Sequence, residues 1–118
     1  MSFQNQFTKI TTDANLMETV HHGSAEYPFR YYYENIALFD FKCIDWHWHS
    51  ELEFIYIESG NVVFDIGTVH FELNEGNGIM INSKILHRLQ SSSDAIIPNF
   101  LFQPSFIAPQ DSLIYKKY

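Results

Sequence analysis

Between residues 62 and 73, apolar side chains fall on every second position: Val62, Phe64 and Ile66, then Val69, Phe71 and Leu73, with Gly67-Thr68 between the two runs. Successive side chains of a strand point to opposite faces, so this stretch reads as a hairpin with one buried face. The neighbouring sequence keeps the same grammar. Residues 36–49 form a long apolar-polar run read as extended, and residues 52–58 follow, closed by the turn signal Ser59-Gly60-Asn61. After the hairpin come a second turn, residues 74–78, then the short buried strand Ile79-Met80-Ile81, the turn Asn82-Ser83-Lys84 and an extended piece over 86–89. A late strand covers 96–103, and Pro98 places it at a sheet edge or at the strand's own start. Many short strands separated by regular turns predict an all-β sandwich or barrel.

Helix has little room in this pattern. Residues 16–20 could form a short helix capped by Asp13 or Asn15, and Asp111 could cap another over 112–118. The division expected is an N-terminal arm over 1–30, a barrel over 31–110, and the start of a helix, cut in mid-element, over 111–118. One domain is what 118 residues allow. A hydrophobic share of 46% makes a core without staples, and an aromatic share of 17% favours strands.

Charge and cysteine content narrow the function. The formal net charge is −7, with only seven Lys and Arg, and these form no stripe. The phosphate-neutralising surface of a nucleic-acid binder is therefore missing from this piece. Cys43 has no second cysteine to pair with, and it reads as a small buried hydrophobe on a strand. No basic-then-apolar leader opens the chain, and no run is long and apolar enough to cross a bilayer. A cytoplasmic protein is the expectation.

The chemistry gathers in two segments: His47-Trp48-His49 followed by Glu53 and Gly60, and Gly76 followed by Asn82, Lys84 and His87. Histidines at i and i+2 of a strand share a face. A turn over 50–52 can return Glu53 to that face, and His87 would reach it from a crossing strand. Three imidazoles and a carboxylate suit zinc, iron, manganese or nickel. The same residues could instead hold one another by hydrogen bonds with no metal. Either way a buried Glu53 must be paired or protonated, so it should be partly buried and touch at least one of these histidines.

Around this quartet the readings are plainer. Glu51 reads as a solvated turn residue, His21, His22 and His70 as exposed, and Arg88 as facing away from the pocket. Trp46 and Trp48 stand evenly between packing and ligand contact. Phe54, Tyr56, Phe64 and Phe71 read as core or cavity wall, and Tyr56 and Tyr33 carry hydroxyls that could point at a ligand.

The spacing H-x-H, x3, E, x6, G, then G, x5, P, x, G, x2, H, resembles the two motifs of the cupin family. Phe41 stands where the first motif opens on glycine. Asn82, Lys84 and Ser91 stand where the second has Pro, Gly and Asn. These departures keep the ligand set and weaken the case for a metal enzyme. The resemblance implies a cupin barrel, a double-stranded β-helix or jelly roll, with short flanking helical segments.

A narrower resemblance, to the sensing domain of AraC-type regulators, rests on several stretches. They are residues 46–54, His22-Gly23-Ser24 leading into Tyr27-Pro28-Phe29, Ile81-Asn82-Ser83 ahead of Leu86-His87, and Ser112-Leu113-Ile114-Tyr115. It implies a domain that binds a small effector (a sugar or another small polar molecule) and dimerises. It also implies a separate helix-turn-helix domain, absent from this chain, that meets DNA. Trp48, Tyr56 and Tyr33 join His47, His49, Glu53 and His87 as the expected ligand-binding set. The rival readings are a metal-dependent cupin dioxygenase or isomerase, and a purely structural dimerisation barrel.

Overall fold

The computed structural model of the chain describes residues 10–20, 22 and 29–107. Eight strands run in order: β1 (Phe29–Asn35), β2 (Cys43–His47), β3 (Leu52–Tyr56), β4 (Asn61–Ile66), β5 (Val69–Asn74), β6 (Gly78–Ile81), β7 (His87–Gln90) and β8 (Ile96–Phe102). A single turn of helix, α1 (Pro104–Ile107), follows. The strands pair into two four-stranded antiparallel sheets, ordered β1-β8-β3-β6 and β2-β7-β4-β5. Apart from the β4–β5 hairpin, each strand crosses to the other sheet, which rolls the chain around one interior. The all-β double-sheet barrel expected from the sequence is the observed fold.

Alternation explains the core. The hairpin pairs Phe64 with Phe71 and Ile66 with Val69 across the two-residue loop Gly67-Thr68. Val62 and Phe64 are fully buried, while Val69, at the loop end, is exposed. Ile55, Ile81, Leu89 and Ile97 meet them from the other strands. Each such side chain contributes roughly 1.5–3 kcal/mol by leaving water. The short strand β6 is an edge strand, so only Ile81 is fully enclosed and Met80 is exposed.

Three local expectations are corrected. Residues 36–49 are not one extended run: two 3-10 turns, Ile36–Leu38 and Asp40–Lys42, precede β2. Asn35 caps the first by accepting from the Ala37 amide. Residues 16–20 are not a helix. Asp13 does cap, but it accepts from the amides of Asn15 and Met17 and closes a turn. Met17 then bridges to Trp48. Finally, β8 lies inside its sheet, between β1 and β3. Pro98 is tolerated because the β3–β8 ladder runs only from Asn99 to Phe102, leaving Pro98 opposite Tyr33 of β1 alone. The expected helix over 112–118 lies outside the described residues.

Candidate metal centre and ligand pocket

Strands from both sheets deliver the quartet. His47 ends β2 and pairs in register with His87, which opens β7. His49 lies two residues on, and Glu53 enters from β3. The β6–β7 turn fastens the intervening segment: the Lys84 amide donates to the His49 carbonyl at 2.8 Å, and the Ser83 hydroxyl donates to the Ser50 carbonyl at 2.6 Å. That turn needs φ of +63° at Lys84. Phe41, 98% exposed, likewise holds φ of +58°. Both are the left-handed positions where the cupin motifs carry glycine, so the conformation persists without it. Gly60 keeps its glycine for a second reason. At φ +81°, an added Cβ would lie 2.7 Å from the Asp94 carbonyl oxygen.

One donor atom from each of His47, His49, Glu53 and His87 lies within 4.8 Å of the others, and all four residues are buried. The imidazoles are held in a common way. Nδ1 of His47 donates to the Asp45 carbonyl at 2.8 Å, that of His49 to the Glu51 carbonyl at 3.0 Å, and that of His87 to the Ile85 carbonyl at 2.8 Å. Pinning Nδ1 turns each Nε2 toward the centre, the orientation metal-binding histidines take from their outer partners. Glu53 Oε1 is 3.1 Å from His49 Nε2 and 3.2 Å from His87 Nε2. The expected contact between Glu53 and a histidine is thus made twice.

Electrostatics show how the cluster balances. Burial works against a charged Glu53, but the hydrogen bonds from His49 and His87 outweigh it and hold its carboxyl well below the usual carboxylate range. Burial also disfavours a charged His49, yet the bond and charge of Glu53 raise it to about 9. His47 goes the other way: burial, then the neighbouring His87, lower it to about 4. The carboxylate therefore demands a positive charge beside it. A protonated His49 meets that demand, and a divalent ion would meet it too. The donor set of three nitrogens and a carboxylate oxygen fits such an ion.

His47, His49 and Glu53, three of the quartet, form part of the wall of a small open pocket also lined by Glu18, His22, Tyr32, Glu34 and Asn99. These five were missed in the sequence. His22 is not exposed as expected: it is 6% exposed, and the tautomer with hydrogen on Nε2 donates to Glu18 at 2.7 Å while Nδ1 accepts from the Tyr32 hydroxyl at 2.6 Å. Glu51 is not a solvated turn residue either. It is buried, and its carboxylate accepts from the His22 amide at 3.1 Å.

The remaining expected ligand residues lie elsewhere. Tyr56 is 40% exposed on the outer face of its sheet, the Tyr33 hydroxyl donates to Glu58, and Trp48 donates from its indole to the Asn15 carbonyl. None of the three lines the pocket. The tyrosine facing inward is Tyr32, one residue from the expected Tyr33. Three tyrosines in a row hide which face is buried, but Tyr32 and Glu34 at i and i+2 were a usable signal. Trp46 packs outside under Arg88. Phe64 is core, Phe71 stacks on it, and Phe54 is only half-buried. His70 is exposed and Arg88 faces away from the pocket toward Asp65, both as expected, while Cys43 is half-buried rather than enclosed.

Residues 39–108 match the AraC-like ligand binding domain family. The chain belongs to this family. A Bacillus subtilis protein named as an uncharacterized HTH-type transcriptional regulator, YdeC, is 32% identical over 108 residues, covering 90% of this chain and 36% of YdeC. This AraC-like domain thus spans about a third of that relative. Among solved structures, a cupin-2 domain protein from Shewanella frigidimarina superposes with a TM-score of 0.56 at 13% identity, over 64% of this chain and 72% of that one. NMB1881 from Neisseria meningitidis gives 0.55 at 14%, over 64% and 75%. The likeness to the cupin-2 protein establishes the cupin fold of the AraC-like domain.

Proposed function

We propose that this domain is the sensing half of a transcription regulator and that it binds its small polar effector at a divalent metal held by His47, His49, Glu53 and His87. The observation that carries the proposal is the convergence of four buried donors within 4.8 Å, each imidazole pinned through Nδ1. Family membership and the match to YdeC support the regulatory half. A bound ion would act as a Lewis acid that grips an oxygen or nitrogen of the effector. His47 is suited to meet it. No protein partner engages its Nε2, and no fully enclosed side-chain nitrogen or oxygen among the described residues lacks one, so that atom opens on the pocket.

Signal output would run through the arm. Ile10, Glu18 and His22 line the pocket. The Glu18 amide donates to the Trp48 carbonyl, and the Trp48 amide donates to the Leu16 carbonyl. An effector that touches these residues favours the docked arm over the free one, and that differential affinity is what could bias a partner domain. Homodimerisation, DNA contact through a helix-turn-helix domain elsewhere in the protein, and a cytoplasmic location belong to the same proposal. Among the described residues no helix is long and apolar enough to cross a membrane.

The test is metal content and zinc titration of the purified chain, with His47→Ala and His87→Ala alongside. Stoichiometric binding lost in both variants supports the proposal. Failure to bind zinc, iron, manganese or nickel would leave a hydrogen-bonded pocket. Turnover of a substrate by the metal-loaded chain would instead favour the enzyme reading, which the complete quartet keeps in play.

A further inference from the structure

We propose that Glu34 and Asn99 form a second subsite in this pocket, one that receives a protonated amine of the ligand. The proposal deepens the reading of the pocket as a small-molecule site and rests on it. Glu34 projects inward from β1 and Asn99 from β8, and both line the pocket. Asn99 is only 2% exposed. Its amide nitrogen donates to the Ile97 carbonyl at 3.0 Å and to Glu34 at a long 3.4 Å, which fixes the orientation of the carboxamide. Its carbonyl oxygen then has no protein donor. Because no fully enclosed side-chain oxygen or nitrogen among the described residues lacks a partner, that oxygen opens on the pocket.

Glu34 is in the same position. Its hydrogen bonding in the protein amounts to the one long contact from Asn99. The other carboxylates around it are accounted for: Glu18 is paired with His22, and Glu53 with His49 and His87. Among the described residues no lysine or arginine lines the pocket. A half-buried carboxyl without a donor or cation is costly to ionise. Burial together with the charge of Glu53 pushes Glu34 up to about 8, so it stays mostly protonated at pH 7 until a cation arrives to ionise it. An ammonium group repairs this arrangement at once. It supplies the missing positive charge to Glu34 and N–H donors to both open oxygens. A hydroxyl would bring one donor and no charge. A carboxylate or phosphate would add a like charge beside Glu34.

The experiment is an amide chemical-shift titration of the full chain at pH 7 with ethanolamine, ethylene glycol and glycolate, three probes of similar size. Each is run with chelator and again with zinc. Ethanolamine is an ammonium ion at this pH, so a preference for it does not report on metal coordination. The expected result is at least tenfold tighter binding of ethanolamine than of either other probe, with shifts centred on β1 and β8. Glu34→Gln should abolish that preference, and Asn99→Leu should reduce it, in variants whose spectra remain folded. Equal binding of ethanolamine and ethylene glycol, or a preference unchanged in Glu34→Gln, overturns the proposal. Zinc binding with no ethanolamine binding overturns the subsite and leaves the metal pocket standing. An ethanolamine preference without zinc binding does the reverse.

Discussion

Two carboxylates in this domain sit between two nitrogen partners each, one inside and one outside. Glu53 is 8% exposed and lies between His49 and His87. Asp65, on the outer face of the other sheet, takes one bond from His70 and two from Arg88, and Arg88 in turn covers Trp46. The hydrogen-bond diagrams are almost the same, but the physics is not. Solvent screens the outer cluster, where such pairs contribute little. The inner one is desolvated, so its members depend on one another, and removing one leaves the rest uncompensated. A fold has no need of the inner arrangement for stability, because apolar side chains of similar volume would serve as well. Its presence is what marks the pocket as a site.

The largest test of that difference is deletion of each carboxylate. Glu53→Ala should cost about 3 kcal/mol of stability in the metal-free protein, the penalty for breaking a buried pair. Asp65→Ala should leave the urea midpoint unmoved within error. Equal losses would mean that the inner cluster is solvated after all. Zinc comes next. At a free concentration one hundred times its dissociation constant, it should stabilise the wild type by about 2.7 kcal/mol through mass action. The same titration should do nothing to His47→Ala. Asp65→Ala should retain the full gain.

How much of this was legible follows the same inside-outside line. The hairpin over β4 and β5 was readable because one face is buried and the other wet, so period two survives in the sequence. The quartet was readable because its spacing is set by strand geometry: His47 and His49 share a face, and Gly60 has no room for a Cβ. Phe41 and Lys84 looked like departures from the motif, yet they keep the left-handed backbone that the motif needs. What stayed hidden depends on irregular backbone or on distant pairing. His22 reaches the pocket through an arm with no periodicity, held by the Asp13 turn and the Trp48 bridge. Glu51 is buried, and its carboxylate accepts from the His22 amide of that arm. Pro98 looked like an edge residue because nothing local says where the β3 ladder stops.

The smallest effect, and the one that separates the two clusters most sharply, is the pH profile. His49 is raised in the folded state to about 9, from near 6.5 unfolded. Its contribution is therefore complete below about pH 6.5 and fades as pH climbs toward 9. His47 is lowered to about 4, so the unfolded chain takes up its proton first, and stability falls between about pH 6.5 and 4. Glu53, also lowered, adds to the acid-side loss once the pH drops below the ordinary carboxylate range. Glu34, raised to about 8, loses stability as pH climbs from the ordinary carboxylate range toward 8. The profile is therefore read in a Glu34→Gln background, where the two histidines lean in opposite directions and metal-free protein should be most stable near pH 6.5 and decline on both sides. Asp65, held low by His70 and then Arg88, can add only an acid-side decline, lost as pH falls through its lowered value, and screening keeps it shallow. In that background Asp65→Ala should therefore leave the alkaline limb untouched, whereas Glu53→Ala should remove it. Saturating zinc should flatten the same limb, because a metal-bound His49 has no proton left to lose. An alkaline limb that survives in both Glu53→Ala and the zinc-loaded protein would mean that His49 does not carry the compensating charge.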